Sequence, residues 1–255
     1  MSIWSALAIA LAGVGAGTIN AIVGSGTLLT FPTLLFFGIN PLTANVSNNL
    51  GIVAGGVSGS WGYRHELTGQ GPTLRRLMPL SLVGSVVGAG LLLVLPPAAF
   101  NAIVPLLIAL GVVLVVLGPR IQGRVRGGAH EPEPRWHAPA MGAGVLLAGM
   151  YGGYFGAAQG VLLMGILSVL SSEPLQRLNG YKNVLTLIAN FVAAIVFLLF
   201  ARDHIDWLVV ALIAVGSFCG GIIGARVGRR FPPNVLRGII VVIGVVAIVK
   251  LVGFP

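Results

Sequence analysis

Two short stretches carry the residue types best suited to chemistry. Gly24-Ser25-Gly26-Thr27, with Asn20 just before it, and Gly156-Ala157-Ala158-Gln159-Gly160 set small and polar residues inside long apolar runs. A helix that restarts after such a break exposes N–H groups in its first turn and the positive end of its dipole, which together receive an anion. Ser25, Thr27 and Gln159 can add side-chain donors. Most glycines in this sequence need no such role, because small residues also let apolar helices pack closely. The two breaks are singled out because they occupy matching places in the chain.

A second pair of clusters follows the same pattern. Asn45, Asn48 and Asn49 fall within one helical turn, and Asn45 and Asn49 share a face at i, i+4. Their counterparts further on are Asn179, Lys182 and Asn183. An amide both donates and accepts, so it can cap a broken helix, hold a polar solute or bond a neighbouring helix. Lys182 differs from its counterpart Asn48 in bringing a positive charge. That charge suits an anion, and the alternative is an ammonium that snorkels to the membrane surface.

Other chemistry lacks its residues. Glu66, Glu131, Glu133, Glu173, Asp203 and Asp206 all fall in loops or at segment ends. Cation pumps and exchangers rely on carboxylates at membrane depth, so this pattern argues against metal-cation transport. H-E-x-x-H, P-loop and G-x-S-x-G patterns are missing, and Ser25 has Val23 two residues before it. The histidines (His65, His130, His137, His204) lie in or beside loops, and one cysteine, Cys219, allows no disulfide within the chain. The expectation is therefore no catalytic residue, no metal site and no cofactor. Without an ATP site, energy for transport comes from gradients or from another subunit.

The elements that must position these residues are membrane helices. Of 255 residues, 56% are hydrophobic and 8% charged, against about a quarter charged in a soluble domain. The net charge of +9 would suggest nucleic acid on a soluble protein, but here the basic residues sit in short loops between apolar runs, so no nucleic-acid partner is expected. A span takes about 20 apolar residues. Clear candidates are 44–62, 77–95, 99–118, 180–201, 207–226 and 235–253. Regions 2–38 and 138–171 are each too long for one crossing and hold the two breaks. Leu28 to Gly38 spans only about 17 Å as a helix and contains Pro32. The N-terminus lacks a cationic leader and reads as a retained first segment.

An internal repeat organises these pieces. At a shift of 134 residues Gly15 meets Gly149, Gly26 meets Gly160, Asn45 meets Asn179 and Asn49 meets Asn183. Gly84-Ser85-x-x-Gly88 meets Gly216-Ser217-x-x-Gly220 at 132, and Pro96-Pro97 meets Pro232-Pro233 at 136. If each long region enters and returns to the same side, a repeat is a hairpin plus three crossings, and the second repeat is inverted. One face then receives Arg64, Arg75, Arg76, Arg120, Arg124, Arg126, Arg135, Arg177, Lys182, Arg226, Arg229, Arg230 and Arg237, which is 13 of the 15 basic residues. Eight simple crossings would put loops 64–76 and 226–237 on opposite faces, against the positive-inside rule. The expected fold is an all-α polytopic membrane protein with two inverted-topology repeats, each a broken-helix hairpin plus three transmembrane helices. Its parts are a first repeat at 1–118, a cytoplasmic linker loop at 119–137 and a second repeat at 138–255. Both termini are expected in the periplasm, with the chain in the inner membrane.

The stretch from Gly13 to Thr27, with Phe31-Pro32 and Asn45-Val46-Ser47-Asn48-Asn49, resembles the sulfite exporter TauE/SafE family. The weaker second copy is Gly149-Met150-Tyr151-Gly152-Gly153-Tyr154-Phe155-Gly156, and the resemblance covers nearly the whole chain. It implies movement of small sulfur-containing anions such as sulfite, sulfoacetate and related organosulfonates. Gly24-Ser25-Gly26 and Ala158-Gln159-Gly160 depart from an all-glycine break. The residues themselves imply only a small polar solute, anionic if Lys182 faces it. The expected activity is alternating-access secondary transport, with the solute held by Asn20, Gly24, Ser25, Gly26, Thr27, Asn45, Asn48, Asn49, Gln159, Gly160, Asn179, Lys182 and Asn183. The partners are that small anionic solute and the lipid bilayer, with room for a homodimer. The competing readings are a membrane assembly factor, which has no need of matched breaks, and a passive anion channel.

Overall fold

The computed structural model describes residues 2–125, 136–227 and 233–253. Arg126, His130, Glu131, Glu133 and Arg135 of the expected linker, and Arg229, Arg230 and Pro232, lie outside the described residues. Among the described residues, ten α-helices run in the order α1 (Ile3–Ile22), α2 (Thr27–Phe36), α3 (Pro41–Gly62), α4 (Gly71–Val94), α5 (Pro97–Val125), α6 (His137–Tyr154), α7 (Gln159–Leu170), α8 (Leu175–Phe200), α9 (Trp207–Val227) and α10 (Pro233–Gly253). Short turns of 3-10 helix, Arg64–Leu67 and Arg202–His204, separate α3 from α4 and α8 from α9. The described residues contain no strand.

Several helices begin where side chains satisfy the free N–H groups of the first turn. Ser2 Oγ accepts from Ser5 N at 3.1 Å, Asn40 Oδ1 accepts from Leu42 N at 3.0 Å just before Pro41, and Asp206 Oδ1 accepts from Leu208 N and Val209 N. Among the described residues, five helices are long and apolar enough to cross a membrane: Ile3–Ile22, Gly71–Val94, Ala98–Gly118, Leu175–Phe200 and Trp207–Val227. α3 has the length but not the apolarity, because its three asparagines and several small residues are turned inward and buried. α4 and α8 begin about a turn or more before the expected spans, since an apolar run marks the lipid-facing section and not the whole helix. For the same reason α5 continues through Val125, seven residues into the expected linker.

Helix directions follow from which residues touch. Gly13 lies against Ile213 and Gly216, Gly17 against Ser217 and Gly224 against Thr18, so α1 and α9 run parallel. Gly51 meets Ile213, Gly55 meets Ser217 and Gly62 meets Ala225, so α3 runs the same way. Gly84 packs on Leu146 and Gly88 on Met150, so α4 and α6 run parallel. Ser81 Oγ donates to Leu185 O at 2.9 Å and Ser85 Oγ to Ala189 O at 2.5 Å, which sets α8 parallel to α4. Gly56 meets Leu187 while Gly59 faces Asn183, so α3 and α8 are antiparallel. Helices α1, α3 and α9 therefore run one way, and α4, α6 and α8 the other.

Between α1 and α9 and between α4 and α6, the contacts are mostly backbone on backbone. A Cβ on Gly17 would sit 2.2 Å from the Ser217 carbonyl oxygen, and one on Gly153 would sit 2.2 Å from the Ser85 carbonyl oxygen. Close approach of this kind suits helices in lipid, where association depends on packing rather than on escape from water. Each half thus lays its first helix against the fourth helix of the other half.

Candidate functional site

Both expected breaks occur, and both turn the chain back on itself. Gly15 packs against Leu29 and Gly26 against Ala16, which lays α2 back along α1. Gly144 packs against Ile166 and Gly152 against the Gln159 side chain, which lays α7 back along α6. The two stops share one geometry. Val23 N and Gly24 N both donate to Ile19 O, and Phe155 N and Gly156 N both donate to Tyr151 O. Gly24 and Gly156 then take φ of +88° and +75°, a left-handed turn that glycine adopts without steric cost. This aligns the breaks at a shift of 132 residues, Gly24 with Gly156 and Thr27 with Gln159, two residues off the glycine match in the sequence. Ala158 carries the strain of the second turn, at φ +62° without being glycine.

The two turns meet. Gly160 N donates to Gly24 O at 2.9 Å, and a Cβ on Gly24 would lie 2.5 Å from Gly160 Cα and 3.1 Å from Lys182 Cδ. The start of α7 therefore abuts the end of α1, with the Lys182 stem beside the contact. Among the described residues, the N–H groups of Ser25, Gly26, Thr27, Ala157 and Ala158 find no acceptor. Ser25 Oγ and both amide atoms of Gln159 are buried with no hydrogen-bond partner. Unpartnered buried polar groups cost about 1–3 kcal/mol each, so gathering them at one place is unfavourable unless something else pairs with them.

Lys182 is fully buried, and its Nζ donates to Asn20 O at 2.9 Å and Ala21 O at 3.0 Å. It neither snorkels nor stands open. It caps the end of α1, where free carbonyls and the negative dipole end favour a cation. Asn179 Nδ2 and Asn183 Nδ2 donate to the same Ala21 oxygen, at 3.4 and 3.3 Å. No carboxylate joins Lys182: among the described residues the one ion pair is Arg177 with Glu173. Glu66, Glu173, Asp203 and Asp206 all lie between the long helices.

The asparagines of α3 hold the hairpins. Asn45 Nδ2 donates to Tyr154 O at 3.0 Å and so caps the end of α6, as Asn179 helps cap α1. Asn48 bonds two of the three hydroxyls of the first returning helix: Thr30 Oγ1 donates to its Oδ1 at 2.5 Å, and its Nδ2 donates to Thr27 Oγ1 at 3.3 Å. Asn49 Nδ2 donates to Asn190 Oδ1 at 3.3 Å, leaving Asn49 Oδ1 buried and unpartnered. The expected site residues are thus brought together, with Gly24, Ser25, Gln159, Gly160 and Lys182 at the tip contact. Asn20 contributes its backbone carbonyl, Asn45, Asn48, Asn179 and Asn183 fasten the hairpins around it, and Asn49 ties α3 to α8.

Sequence reasoning missed Thr186 and Asn190. With Asn179 and Asn183 they form a buried polar stripe on α8 at i, i+4, i+7 and i+11. The stripe runs from the carbonyls of Ala21 to Asn190, whose Oδ1 faces Gly156 of the second turn. Thr186 Oγ1, between them, is buried without a partner. The signal was present as polar residues at helical spacing within an apolar run, four positions on from the repeated Asn cluster.

The chain matches known proteins over nearly its whole length. Residues 9–251 match the model of the family described as Sulfite exporter TauE/SafE. A Sinorhizobium protein named "Probable membrane transporter protein ORF9" is 26% identical over 94% of this chain and 89% of its own. "Probable membrane transporter protein YfcA" of Escherichia coli K12 is 25% identical over 92% and 85%. A Haemophilus influenzae protein named "Probable membrane transporter protein" is 24% identical over 93% and 90%. No solved structure matches.

Proposed function

We propose that this chain, which belongs to the sulfite exporter TauE/SafE family, is a secondary transporter of a small sulfur-containing anion. The chain is a multi-pass membrane protein of a membrane transporter family, and sulfite, sulfoacetate or a related organosulfonate is the solute we assign to it. The observation that carries the assignment is Lys182, a buried cation without a carboxylate, placed beside two hairpin turns with unpartnered donors. An ammonium buried against neutral carbonyls alone keeps a desolvation cost, which an anionic solute would offset. Ser25, Gly26 and Thr27, with Ala157 and Ala158 just before α7, would supply N–H donors, and the Ser25 hydroxyl a side-chain donor. The Gln159 amide would complete the oxygen shell, and Asn20, Asn45, Asn48, Asn49, Asn179 and Asn183 would keep the hairpin ends in place.

We read the two halves, 1–118 and 138–255, as repeats of opposite orientation joined through 119–137, with both termini in the periplasm of an inner-membrane protein and a homodimer as its assembly. The antiparallel running of α1 against α6 and of α3 against α8 supports that orientation. In alternating access, the hairpin of one half would rock with the fourth helix of the other, about the Gly24–Gly160 contact, exposing the tips to each side in turn. Gradient-driven uptake of labelled sulfite or sulfoacetate by proteoliposomes tests this. The wild type is expected to concentrate one of them, and Lys182→Ala to lose most of that flux. A wild type inert toward every sulfur anion would overturn the assignment.

A further inference from the structure

A second, independent feature lies where α3 and α9 end side by side. These helices run parallel, so both finish on the face that carries Arg75 and Arg76 at the start of α4. There a cleft of about 210 Å³ opens between them, lined by Ser58, Trp61, Gly62, Arg64, Ala225 and Arg226. Its floor is low because small residues meet there: a Cβ on Gly62 would overlap the Ala225 methyl at 2.2 Å. The Arg64 guanidinium stands 4.1 Å over the Trp61 ring and donates to Trp61 O at 3.0 Å, which holds it at the rim. Trp61 is 60% exposed. Neither Arg64 nor Arg226 pairs with a carboxylate among the described residues.

The internal repeat supplies a control. At the offsets of 134 for α3 and 132 for α9, the counterparts of Trp61, Arg64 and Arg226 are Ile195, Leu198 and Val94. The other end carries Arg202, which opens the 3-10 turn after α8 as Arg64 does after α3 and donates to Leu198 O, but the counterpart of Arg226 there is Val94, so the packing of these helices does not require a pair of cations. Volume adds a constraint: the cleft has room for roughly seven waters, enough for a phosphate and its ester oxygens. An indole beside two guanidiniums at a helix end is the chemistry of the membrane interface, where phosphate meets acyl chain.

We propose that the Arg64–Arg226 cleft binds the phosphate of an anionic phospholipid headgroup, with Trp61 packed on the glycerol and upper acyl region. The site joins α3 of one half to α9 of the other, so an occupying lipid bridges the two halves at one face.

The test is native mass spectrometry of the full chain in neutral detergent, titrated with phosphatidylglycerol or phosphatidylcholine. The wild type is expected to retain one phosphatidylglycerol per chain at least about tenfold more tightly than phosphatidylcholine. Arg64→Gln with Arg226→Gln should abolish that preference. Arg75→Gln with Arg76→Gln, which removes equal charge from exposed positions on α4, should keep it. Equal losses in both double variants would overturn the proposal in favour of diffuse charge. Equal retention of the two lipids would overturn it outright. Displacement of the lipid by millimolar inorganic phosphate would make the cleft a soluble-anion site instead. None of these outcomes depends on transport.

Discussion

Replacing Gly24 with alanine puts a methyl group where the two hairpin turns touch. Two costs follow. The left-handed backbone at φ +88° costs an L-residue about 1–2 kcal/mol. The methyl would also lie 2.5 Å from Gly160 Cα, on backbone that has little room to yield, and overpacking of this kind costs about 1–3 kcal/mol. The sum is about 2–5 kcal/mol. Gly38, at the end of α2, isolates the first cost, because it has φ +78° and nothing within 4 Å of a Cβ. Gly38→Ala should therefore cost only about 1–2 kcal/mol. Both substitutions restrict the unfolded chain equally, so that effect cancels in the comparison. The assay is the unfolding midpoint in detergent, with the two variants read side by side, followed by uptake in liposomes. Gly24→Ala is expected to be the less stable of the two by about 1–3 kcal/mol and to lose transport, while Gly38→Ala transports normally. Equal loss of stability in the two variants would refute the claim that the turns are in contact.

Lys182→Met keeps the side-chain length and removes a buried charge, so the lost carbonyl bonds, about 1.5–3 kcal/mol each, are offset by relief of desolvation. Its unfolding midpoint should stay within a few degrees of wild type while uptake falls at least about tenfold, and a collapse of stability would make Lys182 a purely structural cap. Thr186→Ala should raise the solute concentration for half-maximal uptake with little change in stability, since its hydroxyl has no partner, while Asn190→Ala should do the same and also cost about 1–3 kcal/mol by leaving Asn49 Nδ2 unpaired, which concentration-dependent uptake and midpoint shifts would show. Ser217→Ala removes the hydroxyl that accepts from Gly55 N at 3.1 Å and donates to Gly51 O at 3.0 Å, and should cost about 2 kcal/mol by midpoint shift. Cysteines placed at either terminus of a Cys219→Ser chain should react with an impermeant thiol reagent added to intact cells, as the proposed periplasmic termini require.

Much of the framework was legible because apolar length and small-residue spacing govern helices in lipid. The breaks at Gly24–Gly26 and Gly156–Gly160 were visible as polar interruptions in runs too long for one crossing, and the repeat gave each break its partner. The alignment of the turns was less legible, because identity of residue does not report backbone conformation. Positive φ falls at Gly24 and Gly156, while the apparent match paired Gly26 with Gly160. The destination of Lys182 was equally hidden, since only packing decides whether an ammonium reaches the surface or the end of a helix. Thr186 and Asn190 escaped notice for a related reason: one polar residue per turn of an apolar helix gains meaning only when the facing helix is known. The extent of α5 past residue 118 was missed because hydropathy marks where lipid ends and not where the helix does.

The most direct measurement is equilibrium binding of sulfite and sulfoacetate to the purified chain by calorimetry, for wild type, Lys182→Met and Gln159→Leu. One anion should bind the wild type at one site per chain, with affinity reduced at least about tenfold in each variant. A wild type that binds none of them, or variants that bind as tightly as wild type, would contradict an anion site built from the paired hairpin tips and Lys182.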